Sequence, residues 1–92
     1  MLTDREFLEL AAKAAGKEPS DIDGVIYAGF GSREWNPKDH DGDSLRLAVT
    51  LGIFLRDDFL KVLSDQLNGG KDRYAATRMA ILIIAARIGK MK

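Results

Sequence analysis

The densest folding information in this chain lies in one stretch: Trp35-Asn36-Pro37-Lys38-Asp39-His40-Asp41-Gly42-Asp43-Ser44-Leu45-Arg46-Leu47-Ala48-Val49. A large aromatic residue is followed by a rigid proline, a run of cap and turn formers, and an amphipathic segment. Pro37 disfavours the helical conformation for Asn36, and aspartate oxygens can accept the first amides of a helix. This order predicts an extended segment and then a helix over residues 42–51, which Gly52 ends. The stretch thus supplies four residues with a predicted structural role: Trp35, Pro37, Asp41 and Asp43.

Composition places the chain among ordinary globular proteins. Its 92 residues suffice for a single domain, residues 1–92, of which 46% are hydrophobic and 30% charged. The absence of cysteine and the presence of one histidine exclude disulfides, thiolate chemistry and the usual zinc sites. The first residues are charged and lead into a helix pattern, and the longest apolar run, residues 79–86, is too short to span a bilayer. We therefore expect a cytoplasmic protein.

Charge is unevenly distributed although the net charge is zero. Residues 1–68 carry eight Lys and Arg against thirteen Asp and Glu, whereas residues 69–92 carry six against one. Halves of opposite charge can attract one another within a fold, or they can present two differently charged faces to partners.

A helix signal opens the chain. Thr3 and Glu6 have the spacing of a capping box, in which each residue satisfies a backbone amide of the other. Apolar residues then recur at helical spacing up to Gly16. These features predict a helix over residues 4–15.

Turn and strand signals follow, and a second capped helix closes the chain. Residues 17–24 are rich in turn formers, and residues 25–30 are β-branched and aromatic, which predicts a strand. Asp72 is placed to cap a last helix over residues 73–89.

Residues 53–68 fit two secondary structures. Their apolar runs lie on either side of an aspartate pair, as in a β-hairpin. Alternatively, Asp58 caps a short helix that ends at Asn68-Gly69-Gly70. Propensity alone does not separate such short runs.

Three stretches together carry a resemblance to a known family. The first is residues 2–16, which begin Leu2-Thr3-Asp4-Arg5-Glu6. The second combines Trp35-Asn36-Pro37 with residues 41–48, and the third is Asp72-Arg73-Tyr74-Ala75-Ala76-Thr77-Arg78, continued at Ile81 and Ile88-Gly89. In this order and spacing the chain resembles the phage ABA sandwich domain family, small uncharacterised proteins encoded mainly by bacteriophages and prophages.

The resemblance implies an α+β fold. A small antiparallel sheet of about three strands would pack with three helices in the order α-β-α-β-β-α, and residues 53–68 would form a hairpin. No activity is implied, because none is established for the family. The chain departs from the family pattern at two positions that are usually charged, which here are Met79 and Ile83.

The aspartate run also invites comparison with a calcium-binding loop. Asp39, Asp41 and Asp43 alternate as the first ligands of such a loop do. However, Ser44 stands where the loop needs glycine, and Thr50 stands where it needs a bidentate glutamate. We therefore interpret the aspartates as helix caps and predict no metal site.

Two further patterns fall short of a catalytic or cofactor site. His40 has no Ser or Cys nearby in sequence to act as a nucleophile, so we interpret it as a solvated loop residue. Gly69-Gly70-Lys71 lacks the full spacing of a phosphate-binding loop, and Asp72 follows the lysine where Ser or Thr is needed. We predict no catalytic residue and no cofactor.

Basic residues near the carboxyl end do not line one side of a helix. On a helical wheel they scatter around the axis: Arg73, Arg78, Arg87 and Lys90. No aromatic residues alternate with them, and a neutral chain lacks long-range attraction to phosphate. Nucleic acid is therefore a disfavoured partner, and no membrane partner is expected.

The last helix carries more apolar surface than one contact buries. On one side lie Tyr74, Ile81, Leu82, Ala85 and Ile88, which we expect to pack on the sheet. The other side needs a second cover, either from this chain or from a partner. We predict a protein-binding face there, formed by Ala76, Met79, Ile83, Ala86 and Arg87.

These features favour a non-enzymatic phage or prophage accessory protein that binds another protein. Inhibition of a host defence component, in the manner of an anti-CRISPR protein, is one form of that role. Two alternatives remain. One is a structural protein that self-assembles, for example as a homodimer, and the other is a small nucleic-acid-binding protein.

Overall fold

Helices dominate the computed structural model, which describes residues 2–16, 20–22, 25–27 and 34–92. In chain order the described elements are α1 (Asp4–Ala14), β1 (Ser20–Ile22), β2 (Val25–Tyr27), α2 (Asp41–Leu51), a 3₁₀ turn (Ile53–Leu55), α3 (Phe59–Asn68) and α4 (Arg73–Lys90). The two strands pair antiparallel, with Ser20 opposite Tyr27. The helices expected over residues 4–15, 42–51 and 73–89 correspond to α1, α2 and α4.

Side-chain caps set where α1 and α4 begin. The Thr3 hydroxyl accepts a hydrogen bond from the Glu6 amide at 3.1 Å, and the Thr3 amide donates to Glu6 Oε1 at 3.0 Å. At the start of α4, Asp72 Oδ1 accepts from the Ala75 amide at 2.9 Å. Each cap satisfies an amide that has no partner inside its helix.

α4 runs through the middle of the bundle, with α1, α2 and α3 packed against it. Its buried residues lie on more than one side of the helix: Ala76, Ala80, Ile81, Leu82, Ile84, Ala85, Ala86 and Gly89. A helix that is apolar on nearly all sides is stable only where neighbours cover those sides. Three helices of the same chain do so here, and this accounts for the apolar surplus of α4.

Backbone approaches backbone where α1 crosses α4. Both helices bury small residues: Ala11, Ala12 and Ala14 in α1, and Ala76, Ala80, Ala85, Ala86 and Gly89 in α4. A Cβ atom added at Gly89 would overlap the carbonyl oxygen of Leu10. Glycine is therefore required here by the short distance between the two helices.

The predicted α+β fold is wrong. In the described part of the chain, the strands are β1 and β2, which have three residues each and pair with one another, and Glu34 forms a single isolated bridge. No three-stranded sheet forms there for helices to pack on, and α4 packs on helices instead. Residues 20–22, expected to be turn, belong to β1, and residues 28–30 of the expected strand lie outside the described residues.

The predicted hairpin over residues 53–68 is also wrong. This segment forms the 3₁₀ turn and α3. Phe59 and Val62 are buried three residues apart, so the apolar residues follow a helical period and not the alternation of a strand. The segment is also rich in leucine, which favours helix over strand. The helical alternative places α3 correctly, with Asp58 at the N-cap position, but the Asp58 side chain makes no capping hydrogen bond there.

Replacement of Gly89 by alanine should destabilise the protein by about 3 kcal/mol or more, because α1 and α4 must move apart to admit the added methyl group. Urea denaturation followed by circular dichroism measures the change in the free energy of unfolding.

Gly42→Ala is the matched control, since Gly42 is an exposed glycine inside α2. Its added Cβ would lie 3.4 Å from Arg46 Nη2, which is an ordinary van der Waals contact. Alanine there should be neutral or stabilising by up to about 1 kcal/mol. Equal effects of the two substitutions would contradict a backbone contact specific to Gly89.

Candidate functional site

The predicted partner-binding face of α4 is largely covered by the protein itself. Ala76 and Ala86 are fully buried, and Met79 and Ile83 are half-buried against the core. Arg87 is exposed and lies beside α3, with Nη1 3.9 Å from Asp58 Oδ2. Little apolar surface is therefore left on this face for a partner.

Exposed apolar surface lies instead on the opposite side of α4. Leu45, Phe54 and Tyr74 are 55%, 47% and 72% exposed, and they surround one depression. This depression, the α2/α4 groove, has a volume of about 400 Å³ and is lined by Asp41, Ser44, Leu45, Phe54, Tyr74, Thr77, Arg78 and Ile81. Tyr74 was expected to pack inside the fold, and the structure places it on the rim of the groove.

Three elements position the walls of the α2/α4 groove. Leu45 projects outward from α2, whose opposite side is buried through Leu47 and Ala48. Phe54 lies on the 3₁₀ turn, and its ring packs edge-on against Phe59, with the centroids 5.4 Å apart. Tyr74 lies in the first turn of α4, and buried Ile81 lies two turns further along the same helix.

Arg78 closes the polar end of the groove. Its Nε donates to the Lys38 carbonyl oxygen at 2.8 Å, and its Nη1 donates to Asp41 Oδ1 at 2.6 Å. Thr77 nearby donates its hydroxyl to the Arg73 carbonyl oxygen at 2.7 Å. These groups already have partners within the chain, so the groove offers mainly apolar surface to a ligand.

Ser44 lies between the groove and the core. Its hydroxyl is buried and has no hydrogen-bond partner among the described residues. A buried hydroxyl without a partner costs about 1–3 kcal/mol relative to one that is paired or hydrated. Since the oxygen atom is inaccessible, it does not contribute a ligand-binding group to the groove.

A second cluster surrounds Asp43, which is only 3% exposed. Its Oδ2 accepts from the Asn36 amide at 3.0 Å, and its Oδ1 accepts from Arg46 Nη2 at 2.8 Å. His40 Nδ1 lies 3.6 Å from Oδ2. The buried carboxylate therefore fixes the loop next to Trp35, which is itself buried with Pro37 in the core. Its role is to hold the loop. The N-cap position of α2 is His40, so Asp41 and Asp43 lie in the first turn of the helix and not at the predicted cap.

The three aspartates of the run point to different partners. Asp39 accepts from the Asn36 side chain at 2.9 Å, Asp41 pairs with Arg78, and Asp43 pairs with Arg46. They do not converge, and no group of metal-ligating side chains occurs in the part of the chain that the structure describes. His40 is exposed at the residue preceding α2 and makes no capping hydrogen bond there.

Hydrogen bonding in this loop changes the acidity of Asp39. The Asn36 amide stabilises the charged form and lowers the pKa of Asp39 below its ordinary value of 3.8, partial burial opposes the shift, and Lys38 reinforces it. The loop is thus held partly by a carboxylate that must stay ionised.

No protein-family model matches the chain, no curated protein matches it in sequence, and no solved structure matches its fold. The resemblance to the phage family gains no support from these comparisons. None of the described helices is long and apolar enough to cross a membrane. A cytoplasmic location stays a prediction.

Ser44→Ala should stabilise the protein by about 1–2 kcal/mol, because it removes a buried hydroxyl without a partner and improves helix propensity. The exposed Ser64 in α3 provides the control, since Ser64→Ala changes propensity alone and should gain only about 0.5 kcal/mol. Urea denaturation of both variants measures the difference. A loss of stability in Ser44→Ala would show that the hydroxyl has a partner in solution.

Acid should weaken the fold partly through Asp39. A carboxyl whose pKa is lower when folded stabilises the protein above its unfolded value of 3.8, and this contribution is lost as the pH falls through the folded pKa. Unfolding free energies at about pH 6 and about pH 3 should therefore differ less in Asp39→Asn than in the wild type. Asp57→Asn, at an exposed carboxylate with no hydrogen bond in the described structure, should leave the difference unchanged.

Proposed function

We propose that this protein is a non-enzymatic binding module that accepts apolar side chains of a protein partner in the α2/α4 groove. The observation that carries the proposal is the grouping of Leu45, Phe54 and Tyr74 around one depression. Large apolar side chains scattered singly on a surface need no explanation, whereas a contiguous patch marks an interaction site.

The chemistry of the groove favours binding over catalysis. Arg78 and Asp41 neutralise one another at its polar end, and the Ser44 hydroxyl is inaccessible. A catalytic site needs a nucleophile or proton-transfer group within reach of a substrate. Apart from the Tyr74 hydroxyl, the groups that line this groove are apolar, already hydrogen-bonded or, like the Ser44 hydroxyl, inaccessible.

A protein partner fits the shape of the groove better than a small molecule does. Its volume is within the range of small-molecule pockets, but such pockets enclose most of their ligand. Here the three apolar residues that surround the groove, Leu45, Phe54 and Tyr74, are 47–72% exposed. Tyr74 is also an aromatic residue of a type that often dominates binding energy between proteins. An open apolar groove of this kind suits a projecting side chain on a larger surface.

The predicted phage accessory role rests on the family resemblance alone. Inhibition of a host defence component rests on the same resemblance, and it stays a prediction. Nucleic-acid binding has no additional support from the groove, because its exposed lining is apolar and not basic.

Selection of peptides from a random displayed library tests the proposed function. We expect enriched peptides to contain large apolar residues and to shift the amide resonances of Leu45, Phe54 and Tyr74 in NMR spectra. Leu45→Asp should weaken their binding by about thirtyfold or more, because it places a charge in an apolar contact.

Leu60→Asp is the matched control. Leu60 is an exposed leucine on α3 that does not line the groove, so its substitution should leave peptide affinity unchanged. Peptides that bind Leu45→Asp as tightly as the wild type would overturn the proposed function.

A further inference from the structure

We infer that the partner in the α2/α4 groove is a second copy of this chain, in a twofold dimer in which Leu55 of each copy enters the groove of the other. This inference rests on the proposed function, since it names the occupant of the same groove. Three features of the described surface support a second copy as the occupant: a projecting apolar residue beside the groove, complementary charges, and the size of the exposed patch.

Leu55 projects from the same short turn that forms one wall of the groove. It is 90% exposed, whereas Ile53 in the same turn is fully buried and anchors it to the core. Gly52, with a φ of 65°, begins the turn at the end of α2, and the ring of Phe54 is braced by Phe59. One chain thus holds a projecting leucine and an apolar depression in fixed relation, as a self-complementary surface requires.

The charges beside Leu55 and beside the α2/α4 groove are complementary. Asp57 follows Leu55 closely in the chain and is exposed, and its carboxylate makes no ion pair in the described structure. Arg73 precedes Tyr74 on the rim of the groove, is exposed, and its guanidinium likewise has no ion-pair partner there. In contrast, Asp58 is occupied by Arg56 at 3.1 Å, which lowers the pKa of Asp58. Asp57 of one copy can therefore meet Arg73 of the other.

The net charge also suits association between identical chains. It is zero at neutral pH, so two copies approach without long-range repulsion. Charges of both signs border the groove, which is the arrangement that lets a surface pair with itself across a twofold axis.

The exposed area matches one side of a standard interface. Leu45, Val49, Phe54, Leu55 and Tyr74 together leave on the order of 600 Å² exposed, near the upper limit for an apolar patch on a monomer. Val49 belongs to this patch because it lies one turn beyond Leu45 on α2. A stable interface takes about 800 Å² from each partner, so the patch and its charged rim supply the area that a dimer needs.

Sedimentation velocity over a range of concentrations tests the inference. Wild-type protein should be dimeric at about 100 µM. Leu55→Asp should weaken the dimer on the order of a hundredfold, because the substitution occurs twice in a twofold interface. The exposed Leu60 on α3 is again the control, and Leu60→Asp should leave the dimer intact. Circular dichroism confirms that each variant is folded.

A charge exchange tests the proposed pairing directly. Asp57→Lys and Arg73→Glu should each weaken the dimer by about tenfold, because each places like charges opposite one another at two equivalent positions. The double variant restores opposite charges and should recover most of the lost affinity. Failure of the double variant to recover would overturn the pairing of Asp57 with Arg73.

Failure of the dimer is distinguishable from failure of the proposed function. A wild-type protein that stays monomeric at about 200 µM would overturn the dimer. If selected peptides still bind through Leu45 in that case, the groove is a site for a different protein, and the proposed function stands. A dimer that Leu60→Asp disrupts and Leu55→Asp does not would assign the interface to α3 and also overturn the inference.

Discussion

The close approach of α1 and α4 is the constraint on which the rest of the structure depends. It requires glycine at position 89, where a side chain would overlap the backbone of Leu10. Because α1 covers one side of α4 so closely, α2 and α3 take the remaining sides, and a long apolar helix is buried in a chain of only 92 residues. The fold therefore relies on close contact between small residues as much as on large core side chains.

Local signals in the sequence define α1, α2 and α4 well. Capping residues and helical periodicity act within a few residues of one another, so Thr3, Glu6 and Asp72 are recognisable without knowledge of the fold. Residues 53–68 are different, because their apolar runs are short and fit a strand or a helix equally well. The resemblance favoured a hairpin, and the burial of Phe59 and Val62 at helical spacing became visible only in the structure.

That one error explains why a partner-binding face was predicted around Met79 and Ile83. With residues 53–68 assigned to a sheet, the chain had too few helices to cover α4, and the face around Met79 and Ile83 was interpreted as a surface for a partner. In the structure α3 is an additional cover for α4. The groove itself was not predictable from spacing, because Leu45, Phe54 and Tyr74 come from three elements whose packing no local pattern encodes. The pairing of Asp41 with Arg78, which are 37 residues apart, was not predictable from the sequence for the same reason.

The groove and the close contact with α1 lie at opposite ends of α4. Tyr74 and Gly89 lie fifteen residues apart in the sequence, which corresponds to about 22 Å along the axis. The end near Gly89 holds the helices together, whereas the end near Tyr74 contributes to the exposed groove. Sequence drift at Leu45, Phe54 and Tyr74 can therefore alter the proposed binding surface while the interhelical contact at the other end is preserved. Such a division lets the groove surface of this small bundle change in sequence without loss of the fold.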